Sequence, residues 1–267
     1  MRIVITGTSS GIGRHLAEKL SGAGHEVWGL ARSSQNAGFA TSACDVSLWS
    51  EVENAQTQIA AKWPHVDVVI CGAAIQGAIG PAMEVDPQVW SGTVRVDLDG
   101  TYFVLRAFWE LLRRSPRRAK VICFSGGGAT KARPNFSAYA AAKTGVVRLV
   151  ETLAVEWTGL SVDINAIAPG AINTAMTRET VSRGPELSGR GEFEAAQRQL
   201  AEGGQSIEKV WALVEFLLSE KSDGITGRLL SAQWDDWATL PAHAPRLAES
   251  EIYQLRRILP EERGAKF

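Results

Sequence analysis

The chain has 267 residues, 45% of them hydrophobic, with a formal charge of −1. That length supports one large α/β domain with its own core and no need of covalent or metal staples, and the balanced charge points to no nucleic-acid or membrane surface. Cys44, Cys71 and Cys123 are widely spaced and read as small buried hydrophobes of a reducing cytoplasm, not as a disulfide framework. The four histidines show no ligand spacing, so no metal is expected. With no signal peptide ahead of the first strand and no apolar run of membrane-spanning length, a cytoplasmic location is expected.

In chain order, Ile3, Val4 and Ile5 form a β-branched run expected as a strand. It leads through Thr6 into Gly7-Thr8-Ser9-Ser10-Gly11-Ile12-Gly13, after which Leu16, Ala17 and Leu20 mark one face of a helix. Glycine permits a tight turn and close backbone approach, while a helix N-terminus offers unpaired N–H groups and a positive dipole end to an anion. Strand, turn and helix in this order fit a dinucleotide phosphate, and a purely structural turn is the alternative.

Strands are expected at 26–30 and 39–44, a helix at 47–62 opened by a Ser47 cap, and a strand at 66–71 ending in the turn Gly72-Ala73-Ala74. Two helical patterns cover 86–114, then a strand covers 120–124, a helix 137–157 and a strand 162–168. A helix at 206–219 and a strand at 225–232 follow. Such alternation implies a single-domain α/β fold, a Rossmann-like doubly wound parallel sheet with helices on both faces and ligands at the C-terminal strand ends. Residues 1–232 form the catalytic domain in this reading, and 233–267 an extension that packs on it or on a neighbouring subunit.

The helix at 137–157 carries Tyr139-Ala140-Ala141-Ala142-Lys143. The i,i+4 spacing places phenol and ammonium on one face, about one turn apart. A cation there favours the phenolate and is expected to lower the tyrosine pKa from about 10 toward the range of a working proton donor. On its own the spacing also fits an ordinary solvated helix face.

Together these motifs resemble the classical short-chain dehydrogenase/reductase family over residues 1–232. The glycine turn is similar to the family's cofactor loop, Tyr139-x-x-x-Lys143 to its catalytic pair, and Asp45-Val46 to the pair that contacts adenine. Asn165-Ala166-Ile167-Ala168-Pro169-Gly170, continuing through Ile172 to Thr174, resembles the segment bordering the nicotinamide. The resemblance implies hydride transfer between a nicotinamide and a ketone or secondary alcohol, with Tyr139 as acid/base and Lys143 holding the ribose. It also implies a polar substrate lid at 173–205 and assembly as a homodimer or homotetramer through the long helices. Val146, Val147, Leu149, Val150 and Leu153 supply the apolar positions for that association.

The end of the second strand bears on cofactor choice. No carboxylate stands in Val27-Trp28-Gly29-Leu30-Ala31-Arg32 to take the adenosine ribose hydroxyls, while Arg32 offers a guanidinium to a 2′-phosphate. NADP(H) is favoured, NAD(H) stays possible, and a solvated loop cation is the other reading of Arg32.

Three positions depart from the family pattern. Gly126 stands where the family has its active-site serine, and Ser125 one step earlier is the expected substitute. Asp97 replaces an asparagine, and Cys71-Gly72-Ala73-Ala74 lacks two amide side chains, leaving Gly72 and Ala73 to line the cofactor. These departures keep open a second reading, a nucleotide-binding sensor or assembly subunit without turnover.

Overall fold

The computed structural model describes residues 1–33 and 37–265. Seven parallel strands form one sheet in the order β3-β2-β1-β4-β5-β6-β7. They are β1 (Arg2–Thr6), β2 (Glu26–Ala31), β3 (Ala40–Ala43), β4 (Val68–Cys71), β5 (Ala119–Phe124), β6 (Val162–Ala168) and β7 (Leu229–Ser231). The chain winds outward from β1 through β2 to β3, then crosses back to place β4 on the other side of β1. That reversal leaves a crevice beyond the C-terminal ends of β1 and β4.

Alternating side chains explain why both faces are covered. Val4, Val69, Val121 and Cys123 enter one core with α2 (Trp49–Ala60), α4 (Gly100–Arg113) and α5 (Ser137–Glu156). Ile3, Ile5, Ile70 and Ile122 enter the other with α1 (Gly11–Gly22) and α9 (Ile207–Leu218). On α5, Val146, Val147 and Val150 are fully buried in the first core and are not free for association. Leu149 and Leu153 are only partly buried, and Val155 is exposed.

Several boundaries differ from the sequence expectation because side chains intercept the backbone. Ser47 caps no helix: its N–H and hydroxyl both go to Asp45 Oδ1, at 2.9 and 2.7 Å, and α2 begins two residues later. The last strand does not start at 225, since the Asn165 amide donates to Ile225 O and its oxygen accepts from Arg228 N–H, closing a turn at Gly227. The 86–114 pattern divides into α3 (Pro87–Val94), a π turn at Arg95–Asp99 and α4. Asp86 caps α3 by accepting from Gln88 and Val89 N–H. Single π turns inside helices are frequent at functional sites.

Between β6 and α9 the chain forms α6 (Ala175–Ser182), α7 (Gly184–Ser188) and α8 (Arg190–Glu202). After β7 a 3-10 turn and α10 (Ala244–Ala248) lead into a tail that returns to the sheet. The buried Arg228 donates to the carbonyls of Ser250 and Ile252 at 2.8 Å and also to Leu247 O, while Leu229 N–H bonds Tyr253 O at 2.8 Å. Trp237 packs on Phe216, whereas Trp234 is exposed. Residues 266 and 267 of the extension lie outside the described residues. Among the described residues, no helix is long and apolar enough to cross a membrane.

Candidate active site

Two glycines of the turn, Gly7 and Gly13, are packed too closely for a side chain. A Cβ on Gly7, whose φ is +79°, would lie 2.8 Å from Ala73 N, and one on Gly13 would lie 2.4 Å from Gly7 O. Thr6 Oγ1 accepts from both Gly72 and Ala73 N–H at 3.0 Å, so the loop after β4 is tethered to β1 without the missing amide side chains. The first turn of α1 carries no acidic residue and its Ser10 side chain caps none of its N–H groups. This end of the helix is therefore chemically suited to an anion.

A cleft of about 360 Å³ opens here. Gly7, Ser9, Ser10, Gly11, Ile12 and Gly13 line one part, and Arg32, Asp45, Val46, Gly72, Ala73 and Thr174 continue the wall. Arg32 is exposed, and among the described residues no carboxylate pairs with it. Thr8 is buried, its hydroxyl 3.5 Å from Leu30 O. Pro169, Gly170 and Ile172 are not part of the lining: Pro169 O and the Gly170 backbone pack against Gln233, and Ile172 joins the second core. Gln76, Met176 and Glu179 also line the cleft; Met176 and Glu179 fall in the segment 173–205 expected as a substrate lid, while Gln76 carried no signal in the sequence. Gln76 is buried and bonds Thr180 of α6 at 3.1 Å, joining the loop after β4 to the segment that covers it.

Tyr139 and Lys143, both buried on α5, and Ser125 are likewise outside that lining. Lys143 Nζ donates to Phe124 O at 3.1 Å and lies 3.4 Å from Asp97 Oδ2. Asp97 Oδ1 accepts from Ile75 N–H at 2.9 Å, and the Asp97 carbonyl accepts the Thr101 hydroxyl at 2.8 Å. The Tyr139 ring clusters with Ile79 and Phe136. Arg133, 3.8 Å from the Phe136 ring centroid, pairs with Glu192 of α8 at 2.8 Å. Neither Arg133 nor Glu192 was legible as part of the site, because their contacts cross long stretches of chain.

Ser125 is buried, and its Oγ has no hydrogen-bond partner among the described residues; the same holds for Asp97 Oδ2. A buried polar group left without a partner costs about 1–3 kcal/mol, so the Ser125 hydroxyl is suited to a ligand's hydrogen bond, whereas Asp97 Oδ2, though it makes no hydrogen bond, lies 3.4 Å from the Lys143 ammonium. Gly126 lies against the phenol: a Cβ there would sit 2.3 Å from Tyr139 Oη. The tyrosine thus occupies space that a serine at this position would need.

Electrostatically, the expectation from the helical spacing is corrected. Burial pushes the Tyr139 phenol above its ordinary value, Asp97 adds to the rise, and the opposing pull of Lys143 and Arg133 does not overcome them. Burial by itself would lower the Lys143 pKa, but Asp97 and Tyr139 beside it hold the ammonium above its usual range. Burial raises the Asp97 carboxyl, and Lys143 offsets part of that rise.

The sequence profile of the family described as enoyl-(acyl carrier protein) reductase matches residues 7–233. A galactitol 2-dehydrogenase (L-tagatose-forming) from Cereibacter sphaeroides is 32% identical, with 85% of this chain and 91% of that protein covered. The fold is shared with ligand-free aldohexose dehydrogenase from Thermoplasma acidophilum, at a TM-score of 0.77 and 24% identity over 86% of this chain and 91% of that one. A protein described as a short chain dehydrogenase from Escherichia coli CFT073, solved with NADPH, superposes at a TM-score of 0.73 and 25% identity. The match covers 87% of this chain and 96% of that one.

Proposed function

The chain belongs to the short-chain dehydrogenase/reductase family, nicotinamide-dependent oxidoreductases of CH–OH and C=O groups, and from that membership we propose that it interconverts a ketone and a secondary alcohol with NADP(H), using Tyr139 as acid/base. The observation that supports this reading is a chain of contacts: the Tyr139 phenol lies against Gly126, next to Ser125, and Lys143 lies 3.4 Å from Asp97, which accepts from the N–H of Ile75 in the wall of the glycine-turn cleft.

The cleft suits the cofactor. The N–H groups at the start of α1 would hold the pyrophosphate, Asp45 and Val46 the adenine, and Thr174 the nicotinamide end. Lys143 would bind the nicotinamide ribose hydroxyls. The bound nicotinamide supplies the hydride in reduction and receives it in oxidation. In reduction Tyr139 Oη gives its proton to the carbonyl oxygen, and in oxidation it takes the proton from the carbinol. Ser125 Oγ, without a hydrogen-bond partner among the described residues, would donate a hydrogen bond to the same substrate oxygen and hold it against the phenol.

On the substrate side, a cavity of about 330 Å³ is lined by apolar residues, among them Ile79, Val85 and Leu187, and by the charged Glu84, Asp86 and Arg183. Ile79 belongs both to this cavity and to the Tyr139 cluster, so the body of the small molecule is assigned to it. The C-terminal extension is read as part of the same folded unit, docked through Arg228. A cytoplasmic homo-oligomer, with Tyr102 of α4 and Val155 of α5 exposed on its contact face, completes the reading.

Arg32 carries the preference for NADP(H), because a guanidinium pairs with a 2′-phosphate in a bidentate manner. Arg32→Ala is expected to raise the dissociation constant for NADPH by roughly ten- to 150-fold, in line with about 1.5–3 kcal/mol for a charged hydrogen bond, and to leave that for NADH unchanged. Equal affinities of the unmodified protein for both cofactors would contradict the assignment. The activity itself is tested by following NADPH oxidation with a panel of cyclic and acyclic ketones. Turnover with at least one supports the enzyme, while tight NADPH binding with no turnover on any would favour a nucleotide-binding sensor.

A further inference from the structure

We propose that Asp97 is a charge-balancing and positioning residue of the acid/base centre: its carboxylate pairs with Lys143 and cancels the ammonium's field at the phenol, so that Tyr139 stays a proton donor well above neutral pH. The proposal rests on the reading of Tyr139 as the acid/base group. It concerns the place where this chain carries a carboxylate and the family it resembles carries a neutral amide.

Asp97 is fully buried on the π turn between α3 and α4. One carboxylate oxygen is fixed by Ile75 N–H at 2.9 Å, and the other lies 3.4 Å from Lys143 Nζ. Lys143 Nζ is in turn 5.7 Å from the Tyr139 ring centroid. A lone buried ammonium at such a distance would stabilise the phenolate, because charges interact strongly where water is excluded. Paired with a carboxylate it forms a neutral couple, whose field at the phenol is much weaker.

The groups facing this couple do not replace the missing charge. Tyr139 and Lys143 come from α5, Cys123 from β5 and Cys71 from β4. The Cys71 thiol is held well above its ordinary range by its hydrogen bond with Cys123 and by burial, so it stays neutral. Arg133, from the loop before α5, is the remaining cation that acts on the phenol, and its guanidinium is 5.7 Å from the Tyr139 ring centroid and paired with Glu192. The direction of the Tyr139 shift, upward from burial with a further push from Asp97, agrees with this geometry.

Ketone reduction requires the phenol and alcohol oxidation the phenolate. Reduction is therefore expected to hold its plateau through neutral pH, while oxidation climbs about tenfold per pH unit toward the alkaline range. Asp97→Asn keeps the shape and the acceptor for Ile75 N–H but removes the charge. Both limbs should then move about one pH unit or more to the acid side, and alcohol oxidation at neutral pH should rise about tenfold per unit moved.

The test has an optical arm independent of turnover. Ultraviolet difference titration of cofactor-free protein against its Tyr139→Phe variant reads the Tyr139 ionisation, and the same pair on the Asp97→Asn background reads its shift. An acid-side shift in both the titration and the rate profiles supports the proposal. Unmoved profiles overturn it, as they would for a carboxylate that merely holds the loop. Should Asp97→Asn fail to fold, the titration of the unmodified protein decides: ionisation at or below the ordinary value of about 10 overturns the proposal. Turnover surviving in Tyr139→Phe would instead overturn the underlying reading, so the two failures are distinguishable.

Discussion

Replacing Tyr139 with phenylalanine is expected to lower kcat by roughly 10²–10⁴-fold, the contribution of a positioned general acid, and to leave NADPH affinity unchanged within experimental error. The ring is held by Ile79 and Phe136 and remains packed in the variant, so only the oxygen is lost. Lys143 keeps its bond to Phe124 O and its contact with Asp97, and the glycine turn is untouched. Steady-state rates beside a fluorescence titration of NADPH separate the two quantities. A variant that turns over at the parent rate would remove Tyr139 from the chemistry.

A second large effect is expected at a residue with no functional group. Gly126→Ala places a methyl 2.3 Å from Tyr139 Oη and 3.0 Å from Cζ, so the ring must leave its position. Displacement of a reacting group by about 1 Å can cost on the order of 10²-fold in rate, and a loss of at least that size in kcat/KM is expected. Gly126→Ser should lose as much, although it restores the residue found at this point of the family pattern. The serine role has moved to Ser125 in this reading, and space at Gly126 is what lets the phenol lie beside it. A thermal melt distinguishes local displacement from unfolding, and full activity in Gly126→Ala would contradict the assigned position of the ring.

Much of the fold was legible because buried parallel strands write themselves as short, mostly apolar and β-branched runs, unbroken in Val68–Cys71 of β4 and interrupted in β6 by Asp163 and Asn165. β6 begins and ends where its Val162–Ala168 pattern does, and Ile3, Val4 and Ile5 mark β1. Boundaries slipped where a polar side chain competes for the backbone, as Asp45 does before α2 and Asn165 does before β7. The π turn at Arg95–Asp99 left only an indirect trace, since an extra residue in one turn shifts the helical face by about 100° and so divides 86–114 into two patterns without marking where the turn lies.

The cofactor cradle was readable for the opposite reason, since closely packed backbone demands glycine and glycine spacing is visible. The electrostatics were not. Helical spacing reports that Lys143 is near Tyr139, but it says nothing of burial or of a carboxylate delivered by a different helix. Those two influences reverse the expected direction of the phenol's shift. Arg133, Glu192, Gln76 and Thr180 were equally invisible, because each pair closes over a long stretch of chain.

The most direct test of Tyr139-assisted hydride transfer uses NADPH deuterated at both C4 positions, with a ketone from the panel and mass spectrometry of the alcohol formed. The account predicts that the unmodified protein places one deuterium on the carbinol carbon and that Tyr139→Phe, still binding the cofactor, yields almost none. Deuterium that stays on the bound cofactor in the unmodified protein, with every ketone offered, would contradict it.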